Sequence, residues 1–66
     1  MTFHEQLRAV RMTRATQLLT DSALTIKEIA AAVGYPSSAG FDREFRRVFA
    51  TAPLEYRRLH AHLKLV

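Results

Sequence analysis

Only four residues in this chain interrupt a helix: Gly34, Pro36, Gly40 and Pro53 are its sole glycines and prolines. The intervals they leave have helical length, and none shows the apolar–polar alternation of a strand. The sequence therefore reads as all-α. It divides into a long helix over 2–20, a second over 26–33, a third over 38–50 and a fourth over 53–64.

The second helix has the best-marked start. Thr25 is an N-cap residue, and Glu28, three positions on, can reach back to the Thr25 N–H, the reciprocal pattern of a capping box. Leu24 before the cap and Ile29 inside the helix have the spacing of a hydrophobic staple. Gly34 tolerates the positive φ that ends a helix, Pro36 prevents continuation, and Ser37 caps the next helix. Two short helices joined by a Gly-containing turn predict a helix-turn-helix.

Length and composition narrow the function. With 66 residues, the chain suits one small domain without a deep substrate cleft, and no cysteine is present to form disulfides or thiolate metal ligands. The longest apolar run, Ile29 to Val33, is far shorter than the roughly 20 residues a membrane span needs. A soluble, cytoplasmic protein is expected, with no membrane association. Ten Lys or Arg stand against six Asp or Glu, a formal charge of +4. Residues 1–33 hold four basic and three acidic side chains and residues 34–66 hold six and three, so the excess follows the third and fourth helices. There, Arg57, Arg58 and Lys64 either touch phosphates or keep the last helix soluble.

On the first helix Phe3, Leu7, Val10, Met12, Ala15, Leu18 and Leu19 cover an arc of roughly 180–200°, wider than one packed neighbour buries. Arg11 and Arg14 fall inside it. Either they snorkel or pair with acids such as Glu28 or Asp21, or this helix connects two packing units, one of them absent.

The third helix segregates its chemistry. Phe41, Phe45, Val48 and Phe49 share a core-facing side, whereas Ala39, Arg43, Arg46 and Arg47 lie on the other. Guanidinium groups on the second helix of a helix-turn-helix match phosphate oxygens and the O6/N7 edge of guanine. The competing account is a solvated face in which these arginines pair with Asp42 and Glu44. His60 and His62, two apart, point to different sides of a helix and cannot chelate a metal together, and His4 stands alone. Ser37 and Ser38 lack a base with an orienting partner. Neither an enzyme, a cofactor nor a metal site is expected.

Phe3, Leu7, Arg11, Met12, Ala15, Leu18 and Leu19, then Ile26, Glu28, Ile29, Ala30, Val33, Gly34 and Tyr35, then Phe41, Arg43, Phe45, Arg46 and Phe49, and finally Pro53, Tyr56 and Arg57 form a familiar pattern. The run IKEIAAAVGYPSSAGFDREFRRVFATAPLEYRR resembles the signature of the AraC/XylS family of bacterial transcriptional regulators. Family DNA-binding domains contain two helix-turn-helix units joined by a long helix. This chain resembles the connecting helix (2–20), the second helix-turn-helix (26–50) and the closing helix (53–64), a single partial DNA-binding domain over 1–66. The implied fold is a homeodomain-like bundle of three to four helices with a long N-terminal connecting helix. The implied function is sequence-specific binding of double-stranded DNA, with recognition helix 38–50 in the major groove. Ser38, Ala39, Asp42 and Arg43 would face bases, and Ser37, Arg46 and Arg47 phosphates. Glu28 and Arg11 would be structural. RNA polymerase would be a partner of the full-length regulator, and a homo-oligomer could form through helix 2–20. The alternative is a protein–protein interaction or dimerisation module with an incidental basic face.

The chain departs from the family where Ala50 stands in place of Gly after the recognition helix and Ala52 in place of a hydroxyl cap before Pro53. The lost cap should cost about 1 kcal/mol. Ala50 must either take an uncomfortable turn or let the helix run on. Gly40 within the recognition helix costs a similar amount relative to Ala, and Ala39 offers no hydrogen bond to a base.

Overall fold

A computed structural model describes residues 2–61. Four helices account for most of them: α1 Phe3–Asp21, α2 Ile26–Ala32, α3 Ser38–Phe49 and α4 Pro53–Ala61. The first three differ slightly from their predicted limits because a capping residue sits at the boundary. Thr2 is outside α1 as its N-cap, its hydroxyl accepting from the Glu5 N–H at 3.1 Å. Asp21 extends the helix by one residue, and Ser22 then closes it, its N–H and hydroxyl both donating to the Leu18 carbonyl. The portion of the fourth predicted helix past 61, with His62 and Lys64, lies outside the described residues.

The capping box of α2 is formed in both directions. The Glu28 N–H donates to Thr25 Oγ1 at 3.1 Å, and the Thr25 N–H donates to Glu28 Oε1 at 2.8 Å. The Thr25 N–H, and to a lesser degree the Thr25 hydroxyl, stabilise the Glu28 carboxylate and hold its pKa below the usual 4.5. At the other end α2 stops at Ala32 and not at the predicted Val33. Gly34, at φ 95°, lets its own N–H reach the Ala31 carbonyl at 3.1 Å and the Tyr35 N–H reach the Ala30 carbonyl at 2.8 Å. Those paired bonds are a Schellman motif, which satisfies two carbonyls the helix would otherwise leave open.

α1 packs on α4 and α2, α2 on α3, and α3 on α4. Met12, Ala15 and Leu19 of α1, Ile29 and Ala30 of α2, Val33, and Phe41 and Phe45 of α3 form the buried centre. Leu18, Leu24, Ile26, Tyr35, Phe49 and Tyr56 lie against it. The predicted staple partners Leu24 and Ile29 thus contribute to the same cluster. Phe45 is its hub, with ring centroids of Phe41, Phe49 and Tyr56 at 5.8, 4.6 and 5.5 Å. Removing so central a ring costs a small domain about 3–5 kcal/mol, so the position of α3 is strongly determined.

The wide apolar arc of α1 divides in two. Met12, Ala15 and Leu19 are buried and Leu7 and Leu18 half-buried, but Phe3 remains 71% and Val10 65% exposed. Arg11 does not pair with Glu28, whose carboxylate serves Thr25. Its guanidinium instead lies 5.6 Å from the centre of the Tyr35 ring and against the backbone of Gly34. A methyl group added at Gly34 would meet that guanidinium at 3.3 Å, so this glycine serves both its positive φ and the close approach of α1. Arg14 donates to the Gln17 side chain at 3.3 Å.

Ala50 takes the uncomfortable turn expected of it. At φ 59° and ψ 24° it is left-handed, and its N–H donates to the Arg46 carbonyl at 2.8 Å. α3 therefore ends at Phe49, one residue before its predicted limit, and the chain reverses into α4 with Pro53 buried at the joint.

Candidate nucleic-acid interface

Because Phe41 and Phe45 anchor one side of α3, the opposite side must face outward. Ala39, Arg43, Arg46 and Arg47 are exposed there, Asp42 is half-buried on the flank, and Ser38, three residues before Phe41, is exposed at the start of the helix on the Phe41 side. Ser37 caps the helix, its hydroxyl accepting from the Gly40 N–H at 3.2 Å. Its hydroxyl proton stays available to an incoming acceptor. Gly40 follows this cap with no special φ, and a methyl group there would meet only Ser37 Oγ at an ordinary 3.5 Å.

The acidic residues of α3 are engaged in two different directions. Asp42 Oδ2 accepts from Arg46 Nε at 2.7 Å, an ion pair along the helix. Glu44 turns away from the outward face toward α1, where its Oε2 lies 2.8 Å from Arg8 Nε. That atom is shielded from solvent and the approach lacks hydrogen-bond alignment, so charge attraction holds it. Pairing of all three arginines with Asp42 and Glu44, the competing account of this face, is thus realised only at Arg46. Arg43 and Arg47 make no hydrogen bond or ion pair among the described residues.

Two contributions were not foreseen in the sequence. Arg57, grouped above with phosphate-binding or solubilising cations, is half-buried. Its Nε donates to the Leu19 carbonyl at 3.0 Å and its Nη2 to the Ser22 carbonyl at 3.4 Å. A cation there complements the negative end of α1, whose own last turn holds no basic residue; that absence was the available signal. Arg8 with Glu44 is the second, a strut between α1 and the back of α3. Elsewhere, Arg58 pairs with Glu55 at 2.8 Å, His60 lies on the Tyr56 ring at 4.1 Å, and His4 meets Phe3 edge-on. Among the described residues no group of three or more His, Asp or Glu is placed to hold a metal ion.

The chain that carries this face is similar to known proteins over most of its length. A family profile described as a helix-turn-helix domain covers residues 1–59. The xylose operon regulatory protein of Escherichia coli K12 is 34% identical over 97% of this chain, and the HTH-type transcriptional regulator YpdC of the same strain is 45% identical over 85%. The chain belongs to the AraC/XylS family of DNA-binding transcriptional regulators. The transcriptional regulator CdpR from Pseudomonas aeruginosa, a solved structure, superposes over 86% of the chain with a TM-score of 0.82 and 38% identity.

α2 and α3, joined through the turn at Gly34, have the arrangement of a helix-turn-helix. The chain spans only 16% and 20% of the two curated relatives and 18% of the solved one, so it corresponds to a small part of a regulator of their kind. These family members are regulators of transcription. No described helix is long and apolar enough to cross a membrane.

Proposed function

We propose that this chain is one DNA-reading unit of an AraC/XylS-type regulator, with α3 lying in the major groove of double-stranded DNA and Arg43 hydrogen-bonded to a base edge. The observation that carries this reading is the availability of Arg43. It is exposed, has no acidic partner among the described residues, and is central on the outward face of the second helix of the motif. Ser38, Ala39 and Asp42 border the same bases, and Ser37 and Arg46 reach phosphates on the flanks. Arg46 leaves Asp42 for a phosphate at little expense, since an exposed pair along a helix is worth only about 0.3–0.5 kcal/mol.

On this reading the chain acts by binding and catalyses no reaction. The whole regulator works in the cytoplasm and meets RNA polymerase at the promoter. The exposed Phe3 and Val10 of α1 offer a place for a second copy.

Fluorescence anisotropy with labelled duplexes across a salt series tests the reading. Binding should weaken as salt rises, and Arg43→Ala should relax preference at a single base pair by about 1–3 kcal/mol. Equal weakening on every sequence would reduce Arg43 to a phosphate contact. An absence of binding by the folded chain at low salt would refute the unit as a DNA reader.

A further inference from the structure

We propose that Arg47 is a second base-reading residue, so that the target carries two G·C pairs about two base-pair steps apart, one contacted by Arg43 and the other by Arg47. This rests on α3 being the recognition helix, and it replaces the phosphate role expected for Arg47 from the sequence.

The first ground is position. Residues four apart on a helix stand almost above one another. Ala39, Arg43 and Arg47 form such a row, all exposed, diametrically behind the buried Phe41 and Phe45. A helix in the major groove turns the middle of its outward face to the bases and its flanks to the phosphate walls. Arg46 and Asp42 are on a flank, whereas Arg47 shares the middle with Arg43.

The second ground is availability. Each acid near Arg47 is already held, Glu44 by Arg8 at 2.8 Å and Asp42 by Arg46 at 2.7 Å. Among the described residues the guanidinium forks of Arg43 and Arg47 keep all their donors, the arrangement that matches O6 and N7 of guanine bidentately. The third ground is spacing. Four helical residues rise about 6 Å, close to two base-pair steps of about 3.4 Å each. Two guanidinium groups one turn apart can therefore address two separate pairs without competing for one.

The test uses the whole chain. Random duplexes are selected and sequenced with the natural protein and with Arg43→Ala, Arg47→Ala, Arg47→Lys and Arg46→Ala, each first shown to be folded by circular dichroism. Affinities are then measured across salt on the selected duplex and on versions with either G·C pair changed to A·T. The natural protein should enrich two G·C pairs. Arg47→Ala should keep one and lose the other, binding the selected duplex about 10-fold or more weaker while binding the corresponding A·T version unchanged. Arg47→Lys should lose the same preference although its charge is retained, because an ammonium cannot form the fork. Arg46→Ala should weaken all duplexes alike.

Uniform weakening by Arg47→Ala, with the salt slope reduced by about one, would make Arg47 a phosphate contact and overturn the proposal. Enrichment of a single G·C pair, indifferent to Arg47, would overturn it while leaving the DNA-reading function intact. If the natural protein selects no motif, the assignment of α3 as a base-reading helix fails and this inference fails with it.

Discussion

Ala50→Gly should make this protein more stable, contrary to the usual effect of introducing glycine. Ala50 is the one non-glycine residue with positive φ among those described, at φ 59° and ψ 24°. Holding an L-residue there costs about 1–2 kcal/mol because its Cβ crowds the following carbonyl. Glycine removes that strain and gives back about 0.4–1 kcal/mol through the greater freedom of the unfolded chain. The Ala50 side chain is exposed, so no core contact is lost, and the bond from its N–H to the Arg46 carbonyl at 2.8 Å is kept. The net gain is about 0.5–1 kcal/mol. For a domain of this size that corresponds to a rise in melting temperature of roughly 3–7 °C. Thermal unfolding followed by far-UV circular dichroism measures it, with Ala31→Gly as the counterpart. Ala31 is also exposed but lies within α2, where glycine costs about 1 kcal/mol, so the same chemical change should lower the melting temperature. If Ala50→Gly melts at or below the natural protein, the strain assigned to the turn after α3 is not there.

Arg57→Met keeps the aliphatic stem but removes the donors to the Leu19 and Ser22 carbonyls, and should cost about 1.5–3 kcal/mol in chemical unfolding with the salt slope of DNA binding unchanged. A reduced slope with unchanged stability would return Arg57 to the phosphates. Because the folded Glu28 carboxyl titrates below its usual 4.5, its contribution is present above the unfolded value and is lost as pH falls through the folded one. Glu28→Gln can still accept from the Thr25 N–H and should flatten the acid side of the stability profile; identical profiles would refute the assignment. Val10→Asn should change stability by less than about 0.5 kcal/mol, whereas Met12→Ala, two residues along the same helix, should cost about 2–5 kcal/mol. A concentration-dependent loss in Val10→Asn, seen in sedimentation, would show a second copy covering that stripe.

How readily each feature could be read from the sequence followed the range of the interaction behind it. The capping box at Thr25 and Glu28, the turn at Gly34 and the cap at Ser37 are local, decided by residues within three or four positions, and they formed as read. The aromatic side of α3 was equally plain, because Phe41, Phe45 and Phe49 repeat every four residues, but Val48, read as sharing that side, is 47% exposed. The fates of the arginines were not. Arg57 meets carbonyls 35 and 38 residues earlier in the chain, and Arg8 meets an acid on a helix that follows two turns later in the fold, so no spacing in the sequence encodes either contact. The arc of α1 was read as wider than one neighbour buries, and part of it does stay exposed, but which part was not legible for the same reason. Periodicity shows which residues share a side of a helix, but only the packed neighbours decide that Met12 is covered while Val10 is not.

The same sorting of arginines limits what net charge says about DNA binding. The formal +4 suggests a broadly attractive surface, but most of the described arginines are already engaged within the fold. Arg8 is tied to Glu44, Arg46 to Asp42 and Arg58 to Glu55, while Arg57 sits on carbonyls and Arg11 on the Tyr35 ring. On the proposed reading, Arg43 and Arg47 are the cations of α3 that DNA would meet without displacing a partner among the described residues, with Arg46 recruited by exchange. Each phosphate neutralised contributes about 0.9 to the logarithmic salt slope on duplex DNA. If Arg43 and Arg47 face bases, the slope from α3 comes mainly from Arg46 and the helix termini, so it should be shallow relative to the charge. Specificity in this unit would then exceed what its non-specific affinity suggests, since the two guanidinium groups with the fewest internal ties are directed at sequence and not at the backbone.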